Sequence, residues 1–215
     1  MGNIIEINNL SKSFKDANIL RNINFSVEKG KIVGIIGRNG SGKTVLFKCI
    51  CGLNRPTKGT VKINNREIGK DIDVPDRIGV IIENPGFIPN YNAFKNLKFL
   101  AMIKNKIEDE QIMDAIALVG LNPKSKKHVG KYSLGMRQRL GIAQAIMEDP
   151  DVLILDEPMN GLDNDGVQDM RKLFLKLKEQ GKTILLASHN KEDIEVLCDV
   201  VYSMDKGILE VLKSE

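Results

Sequence analysis

The sequence has no apolar run long enough to cross a lipid bilayer. Its longest uninterrupted apolar runs, such as residues 152–155, have the length of a strand, whereas a membrane-spanning helix needs roughly 18 to 20 apolar residues. The first ten residues lack the basic region and long apolar stretch of a signal peptide, and Glu6 stands where a myristoylation signal has Ser or Thr. We therefore expect a chain that does not span a membrane by itself.

Cysteine is also scarce, and neither low-complexity linkers nor internal repeats are found. The three cysteines, Cys49, Cys51 and Cys198, cannot form a closed disulfide framework, so we interpret them as reduced core thiols of a cytosolic protein. The lack of repeats argues against a tandem or solenoid fold. A chain of 215 residues is long enough for one sizeable core, or for a core with a smaller subdomain.

Charge of one sign does not dominate the sequence. The formal net charge is only +4, and the basic residues are spread along the chain with acids between them. Such a pattern is typical of a solvated surface, so a nucleic-acid partner is not expected.

Apolar and alternating runs predict strands, and helical periodicity fills the segments between them. The predicted strands are residues 3–8, 19–27, 31–36, 59–64, 78–82, 152–156, 182–187 and 199–212. The runs that begin at 31, 78, 152 and 182 are nearly all apolar, as in a parallel sheet covered on both faces, whereas the first two alternate as in a small antiparallel sheet. Residues 92–131 contain no convincing strand and indicate a helical insertion. Asn164 and Asn190 are the expected N-caps of the helices that follow them.

A complete phosphate-loop pattern follows the strand at 31–36. Residues 37–44 read Gly-Arg-Asn-Gly-Ser-Gly-Lys-Thr and lead into a helical run beginning near Lys43. Glycines let backbone N–H groups close around a phosphate, and the positive end of the helix faces the anion. Lys43 supplies a mobile positive charge, and the Thr44 hydroxyl can ligate Mg²⁺. The predicted phosphate-binding residues are Gly37, Asn39, Gly40, Ser41, Gly42, Lys43 and Thr44.

Three acids follow the carboxyl ends of other predicted strands. Asp156 and Glu157 end the apolar run at 152–155; beside phosphates, Asp156 is the expected Mg²⁺ partner and Glu157 is placed to polarise an attacking water. An exposed acidic turn is the alternative for this pair. Glu83 ends the run at 79–82, before the turn-forming Asn84, Pro85 and Gly86. Because ligands collect at the carboxyl ends of such strands, Glu83 is a metal contact, a water-positioning residue or a solvated loop acid.

Residues 132–139, Tyr-Ser-Leu-Gly-Met-Arg-Gln-Arg, resemble the signature motif of ATP-binding-cassette (ABC) ATPases. The resemblance covers essentially the whole chain, because the other motifs of that family follow in order. Phe14 matches the aromatic residue that stacks on adenine, residues 160–163 match the D-loop at the dimer interface, and His189 matches the switch histidine at the γ-phosphate. From the residues alone, Phe14 could instead be a core residue of an edge strand, and His189 could be structural.

The resemblance implies the ABC ATPase fold. This is an α/β fold: a P-loop NTPase core with a mainly parallel sheet, an N-terminal antiparallel β subdomain and a helical insertion. We expect residues 1–215 to form a single such domain, with a helical subdomain at approximately 85–147. The implied cofactors are ATP and Mg²⁺, and the implied reaction is hydrolysis of ATP.

In the resembled family each nucleotide lies between the phosphate loop of one subunit and the signature loop of another. This implies a dimer with a second ATP-binding subunit, which is either another copy of this chain or a closely related subunit. Ser133 and Gly135 would then donate to the γ-phosphate in trans, and Asp163 is assigned to the nucleotide site at the interface. Leu134 and Met136 stand where the family most often has glycine and glutamine. Since Ser133 and Gly135 are retained, we expect working sites.

Glu83 occupies the position of the family's Q-loop glutamine. Glutamate there, with Asn-Pro-Gly-Phe after it, resembles the bacitracin-resistance and lantibiotic-immunity exporters, in which two ATPase subunits pair with separate membrane permeases to expel peptide antibiotics. This resemblance implies a catalytic and metal-linked role for Glu83, a cytoplasmic location at the inner face of the membrane, and a permease-facing segment from about 85 to 131. Pro85, Phe87 and Pro89 would stiffen the edge of that segment, or else pack against its own helices.

Two other hypotheses belong to different functional classes. A soluble ABC protein of DNA repair or translation would carry two cassettes in one chain or a long coiled-coil insertion, and neither is found here. A small-molecule kinase built on the same phosphate loop would need an acceptor pocket and a lid, but neither the signature nor the D-loop. The favoured hypothesis is therefore the ATPase subunit of a membrane exporter.

Overall fold

The computed structural model describes residues 2–15, 17–83, 85–104 and 106–213, which fold into two sheets with helices around them. The strands are β1 Asn3–Phe14, β2 Ala17–Glu28, β3 Ile32–Ile36, β4 Lys58–Ile63, β5 Arg66–Glu67, β6 Ile78–Ile81, β7 Val152–Asp156, β8 Thr183–Ala187, β9 Val200–Asp205 and β10 Ile208–Lys213. The α-helices are α1 Lys43–Ile50, α2 Ala93–Lys104, α3 Asp109–Leu118, α4 Leu134–Ile146, α5 Asn164–Glu179 and α6 Lys191–Leu197. Asn84, part of the turn predicted after Glu83, lies outside the described residues.

The larger sheet has six strands in the order β10-β9-β3-β8-β7-β6. Every pairing in it is parallel except that of β10 with β9, so the mainly parallel sheet is confirmed. The parallel register places the carboxyl ends of β3, β6 and β7 at one edge of the sheet. Residues that directly follow these three strands therefore meet there.

Alternate residues of the central strands belong to two separate cores, because successive side chains of a strand point to opposite faces. Leu153 and Leu155 pack in the core that includes α2 to α6. Val152 and Ile154 pack in the core that includes α1 and the smaller sheet. Both faces of β7 are thus covered, which explains why its sequence is continuously apolar.

The smaller sheet is antiparallel, with the strand order β2-β1-β4-β5, and so confirms the predicted N-terminal antiparallel unit. β1 extends to Phe14, beyond the predicted limit at residue 8, because the polar residues Ser13 and Lys12 continue the pairing with β2. The predicted strand at 199–212 is a hairpin of two strands, β9 and β10. Its turn contains Lys206 and Gly207, both of which have positive φ.

Helices fill the segment between β6 and β7. It contains α2, α3, a short 3-10 helix at Val129–Lys131 and α4, and no strand is assigned among its described residues from 92 to 131. Within the described ranges, no helix of the protein is both long and apolar enough to cross a membrane.

Side-chain caps mark the starts of α5 and α6, the two helices for which the sequence predicts a capping residue. Asn190 caps α6 by accepting a hydrogen bond from the N–H of Glu192 at 2.9 Å, as predicted. The prediction that Asn164 caps α5 is wrong. Asp163 occupies the cap, and its Oδ1 accepts from the N–H of Gly166 at 2.9 Å, which leaves Asn164 as the first helical residue.

The thiols of Cys49 in α1 and of Cys51, directly after that helix, lie in the core, which should lower their reactivity. Burial raises the pKa of Cys49 to about 11 and that of Cys51 to about 12, because a thiolate loses its hydration there. At pH 8, roughly one Cys49 thiol in a thousand is then ionised, and access is blocked as well. We expect both thiols to react with a thiol-specific reagent at pH 8 only after denaturation in urea. Rapid labelling of either residue in the native protein, located by peptide mapping, would contradict this.

Candidate functional site

A cleft of about 620 Å³ opens at the carboxyl ends of β3, β6 and β7. It brings together nine of the predicted site residues, which come from three separate segments of the sequence. The lining residues are Ile19, Asn39, Gly40, Ser41, Gly42, Lys43, Thr44, Val45, Glu83, Gln138, Asp156, Glu157 and Asn160.

The phosphate loop joins β3 to α1 around the Lys43 side chain. The Lys43 ammonium donates to the carbonyl oxygens of Gly37 at 2.7 Å and of Arg38 at 3.2 Å, so the charge is held inside the turn of the loop. Gly40 and Gly42 have φ values of 77° and 114°. These conformations favour glycine, which explains the glycine spacing of the motif.

Ser41 contributes a buried hydroxyl to the same loop. Its Oγ is enclosed by protein and, in the part of the chain that the structure describes, has no hydrogen-bond partner. A buried polar atom without a partner is unfavourable unless a ligand or water satisfies it. The loop thus offers a polar group as well as a positive charge to a bound anion.

Thr44 and Asp156 form a pair of oxygen donors beside the loop. The Thr44 hydroxyl donates to Asp156 Oδ2 at 2.6 Å, which joins the start of α1 to the end of β7. Mg²⁺ prefers oxygen ligands and usually binds through one or two protein groups together with water and substrate phosphates. These two residues, as a hydroxyl and a carboxylate beside the phosphate loop, fit a Mg²⁺ site of that kind.

Glu157 and His189 form a second pair at the same edge. His189 Nδ1 lies 2.8 Å from Glu157 Oε2. Glu157 has a φ of 51°, and its N–H donates to the Ala187 carbonyl at 3.0 Å, so the chain turns sharply as β7 ends. A left-handed conformation at a non-glycine residue costs about 1 kcal/mol or more, and such strain is common at functional sites. Here it directs the carboxylate towards the histidine and the cleft.

Glu83 lines the cleft from the end of β6 and also has positive φ, at 61°. Its Oε1 accepts a hydrogen bond from the Lys48 ammonium of α1 at 2.7 Å. Its side chain remains 65% exposed, so the carboxylate is accessible from the cleft. Glu83 is therefore an ion-paired residue at the edge of the site.

The remaining predicted residues lie outside the lining of the cleft. Phe14 is 45% exposed, with the Lys12 ammonium 4.7 Å from its ring centre, and so is not a buried core residue. Ser133 is exposed and caps α4, accepting from the N–H of Met136 at 3.2 Å. The Asp163 carboxylate caps α5.

The signature and D-loop segments touch one another within the chain. A Cβ atom on Gly135 would lie 2.9 Å from the carbonyl oxygen of Gly161, and a Cβ atom on Gly161 would lie 2.4 Å from Leu134 Cδ2. Both glycines are needed for this approach, and Gly161 also has a positive φ of 76°. Gly37 and His189 line a neighbouring cavity of about 510 Å³ on the other side of the phosphate loop.

Gln138 is a site residue that the sequence patterns do not predict. It is buried in α4, and its Nε2 donates to the carbonyl oxygens of Pro158 at 2.9 Å and Glu157 at 3.2 Å. Gln138 thus ties the helix of the signature motif to the backbone of the acidic segment. The sequence contains one signal for this role: Gln138 lies four residues before Ile142, which places a polar side chain on the apolar face of α4.

Comparisons with known proteins agree over nearly the whole chain. A family model described as ABC transporter matches residues 20–160. The uncharacterized ABC transporter ATP-binding protein YybJ of Bacillus subtilis is 47% identical, over 96% of this chain and 95% of that protein. The bacitracin transport ATP-binding protein BcrA of Enterococcus faecalis is 42% identical, over 96% and 68% of the two chains. The lantibiotic transport ATP-binding protein SrtF of Streptococcus pyogenes is 38% identical, over 95% and 88%.

Solved structures share the fold. The dimeric, post-hydrolysis structure of the ATP-binding cassette MJ0796 bound to ADP and Pi has a TM-score of 0.87 at 23% identity, covering 98% of this chain and all of that one. The structure of cbiO1 from Clostridium perfringens, part of the ABC transporter complex cbiONQ, has a TM-score of 0.83 at 27% identity, covering 98% and 88%. The predicted fold class is thereby confirmed.

Proposed function

The chain belongs to the ABC transporter family, as an ATP-binding subunit of a transporter, and from this premise we propose that it hydrolyses MgATP to drive export of a peptide antibiotic or a similar compound. The observation that carries the proposal is the meeting, at one cleft, of Lys43, the Thr44–Asp156 pair and Glu157, with His189 2.8 Å from the Glu157 carboxylate. Relatives named as bacitracin and lantibiotic transport proteins support this class of cargo. The same relatives favour a transporter over a soluble protein of DNA repair or translation, and family membership excludes the kinase hypothesis.

The phosphate loop and the acidic segment at the end of β7 would bind different parts of MgATP. Loop residues 37–44 would surround the β- and γ-phosphates, with Lys43 supplying positive charge and Ser41 a hydroxyl that has no hydrogen-bond partner among the described residues. Thr44 and Asp156 would hold Mg²⁺, which when bound neutralises charge on the phosphates. The exposed Phe14 would stack on the adenine.

Glu157 would act as the general base. A water placed in line with the γ-phosphorus gives a proton to the Glu157 carboxylate as its oxygen attacks, and the bond from that phosphorus to the ADP oxygen breaks. His189, 2.8 Å from the carboxylate, would hold Glu157 in one orientation and contact the γ-phosphate. The backbone turn at Glu157 keeps the acid at the mouth of β7.

A second ATP-binding subunit would complete each site. Ser133 is exposed, and Gly135 lies in the first turn of α4, whose positive end can face an anion bound by the partner. Asp163 would lie beside the same interface, through the contact between the D-loop and the signature loop. The dimeric MJ0796 structure supports such a pairing.

An integral membrane permease would bind the segment from about residue 85 to 131, within the helical subdomain, at the cytoplasmic face of the membrane. Pro85 and Pro89 do not form the contact surface by themselves, because Pro85 packs at Gly141 and Pro89 at Gly130. Large apolar side chains are instead exposed on and beside α2, with Ile103 79% exposed. The others are Ile88, Tyr91, Phe99 and Met102. Such a patch is typical of a protein contact. A nucleic-acid partner is not expected.

Glu83 offers a test of coupling between ATP and transport. We expect Glu83→Ala to lower ATP-driven export by about tenfold while the affinity for MgATP changes less than about threefold, because the residue lies beside the phosphate site and before the permease-facing segment. Glu83→Gln should keep ATP binding and part of the basal hydrolysis, since it retains an acceptor oxygen. ATP turnover and export are measured in vesicles containing the copurified permease, across a Mg²⁺ titration.

Lys48→Met is the matched control for this prediction. It removes the same ion pair but leaves the Glu83 carboxylate in place. An exposed pair contributes little to stability, so neither variant should unfold. Normal export by Glu83→Ala would show that Glu83 is a solvated loop acid, and equal loss in Lys48→Met would assign the effect to the ion pair.

A further inference from the structure

A buried charged network lies behind the loop that carries His189. Arg171 of α5 donates from Nε and Nη2 to Asp193 Oδ1 of α6, and the two side chains are only 3% and 4% exposed. On its outer side Arg171 also pairs with Glu192 at 2.9 Å. Burial of such an ion pair costs desolvation free energy, and removal of only one partner costs more because a buried charge is then left unpaired. The position of this pair in the fold therefore requires an explanation.

The network ends on the two residues that flank His189. The Ser188 hydroxyl is buried and donates to Asp193 Oδ2 at 3.2 Å. Ser188 Oγ in turn accepts from the N–H of Asn190 at 3.1 Å. His189 itself is exposed and reaches Glu157. His189 is thus the exposed residue of a short loop, and its two neighbours, Ser188 and Asn190, are linked to Arg171 through the Ser188 hydroxyl and Asp193.

We propose that Arg171 is a positioning residue for ATP hydrolysis, which acts through Asp193 and Ser188 to hold the loop 188–190 so that His189 meets Glu157. This inference rests on the proposed function, because it assigns the network to the Glu157–His189 pair. Arg171 contacts neither member of that pair. Two N–H groups of the Arg171 guanidinium donate to Asp193 Oδ1 and leave Oδ2 for Ser188, and a planar guanidinium fixes a carboxylate in one orientation where an ammonium does not.

A second charged pair on the same helix provides the matched control. Lys178 of α5 pairs with Asp199, whose other oxygen accepts from the N–H of Ile32 at 2.8 Å. This pair also fastens α5 to the parallel sheet through a buried carboxylate. It involves no residue of the loop 188–190, so Lys178→Met removes a comparable charged contact at a different place.

The test compares Arg171→Met, Arg171→Lys, Ser188→Ala and Lys178→Met in the purified full chain with MgATP. We expect Arg171→Met to lower kcat about tenfold or more with less than a twofold change in KM, and Ser188→Ala, which leaves the ion pair intact, to lower kcat about threefold. Arg171→Lys should recover part of kcat. Lys178→Met should change kcat and KM less than about twofold. Hydrogen exchange of the peptide covering 183–197 should accelerate in Arg171→Met and Ser188→Ala but not in Lys178→Met.

A double-mutant cycle decides whether Arg171 works through the histidine. In a His189→Ala background, Arg171→Met should lower kcat by less than about twofold further, because the loop then has no histidine to position. Independent, multiplied losses would overturn the inference, as would equal losses in Arg171→Met and Lys178→Met. If the wild-type protein shows no ATP turnover, the proposed function and this role are overturned together. If the wild-type protein does turn over ATP but hydrogen exchange of the peptide covering 183–197 is unchanged in Arg171→Met, the positioning role alone is overturned.

Discussion

Glu157→Gln is expected to leave MgATP binding within about threefold of the wild-type affinity and to lower ATP turnover by about 10²- to 10⁴-fold, the usual contribution of a general base. The amide cannot accept the proton of the attacking water. It keeps a polar atom for His189, which lies 2.8 Å from the carboxylate, so the local geometry is retained. Turnover is measured by phosphate release, and affinity by equilibrium binding of a fluorescent ATP analogue.

The same variant should accumulate a dimer in MgATP, because closure is no longer followed by hydrolysis. Size-exclusion chromatography with and without nucleotide detects this directly. Glu179→Gln is the matched control, since it makes the same chemical change at an exposed acid at the end of α5. Wild-type turnover in Glu157→Gln would exclude Glu157 as the base, and a tenfold loss of ATP affinity would indicate a role in binding instead.

The parallel core can be predicted because its strands are covered on both faces. Residues 152–155 are continuously apolar since alternate side chains enter two different cores, and the same holds for β3 and β8. The prediction of a strand at 199–212 is wrong at the turn between β9 and β10, for a local reason. Lys206 and Gly207 have positive φ and reverse the chain within an otherwise uninterrupted β pattern.

The candidate site is predictable where a motif combines a strand end with polar residues. Lys43 and Thr44 begin α1, Asp156 ends β7 and Glu157 follows it, so short-range spacing is sufficient to find these residues. The assignment of Asn164 as a cap fails because Asp163 is equally suited and lies one residue earlier. Propensity alone does not choose between adjacent capping residues.

Partners from distant segments cannot be predicted in the same way. The contacts of Lys48 with Glu83, of Gln138 with the Pro158 carbonyl and of Arg171 with Asp193 join residues far apart in sequence. Their identity depends on how helices dock on the sheet, which periodicity does not specify. The sequence indicates such contacts only through a polar residue on an otherwise apolar helix face. Gln138 and Arg171 are two residues of this kind, and both are buried.

Ser133→Arg is expected to abolish ATP turnover in the homodimer while the isolated subunit keeps MgATP affinity within about threefold of wild type, because Ser133 lies outside the cleft lined by its own phosphate loop. The arginine adds bulk at an exposed loop that would close on the partner's nucleotide. Loss of the cap on α4 also costs about 1 kcal/mol, so folding is checked by circular dichroism. Lys43→Ala should instead remove phosphate binding within its own cleft.

Mixing the two inactive variants separates a trans role of Ser133 from simple damage. In a mixed dimer, the intact Lys43 of one subunit faces the intact Ser133 of the other, whereas the second site carries both substitutions. Random pairing of equal amounts makes half of the dimers mixed, so about a quarter of the wild-type sites are complete and turnover should return towards that fraction if one site works alone. Recovery requires that both variants fold and that the two motifs act across an interface. A Ser133→Arg subunit that has lost its own ATP affinity, with no recovery on mixing, would place the serine's role within its own subunit.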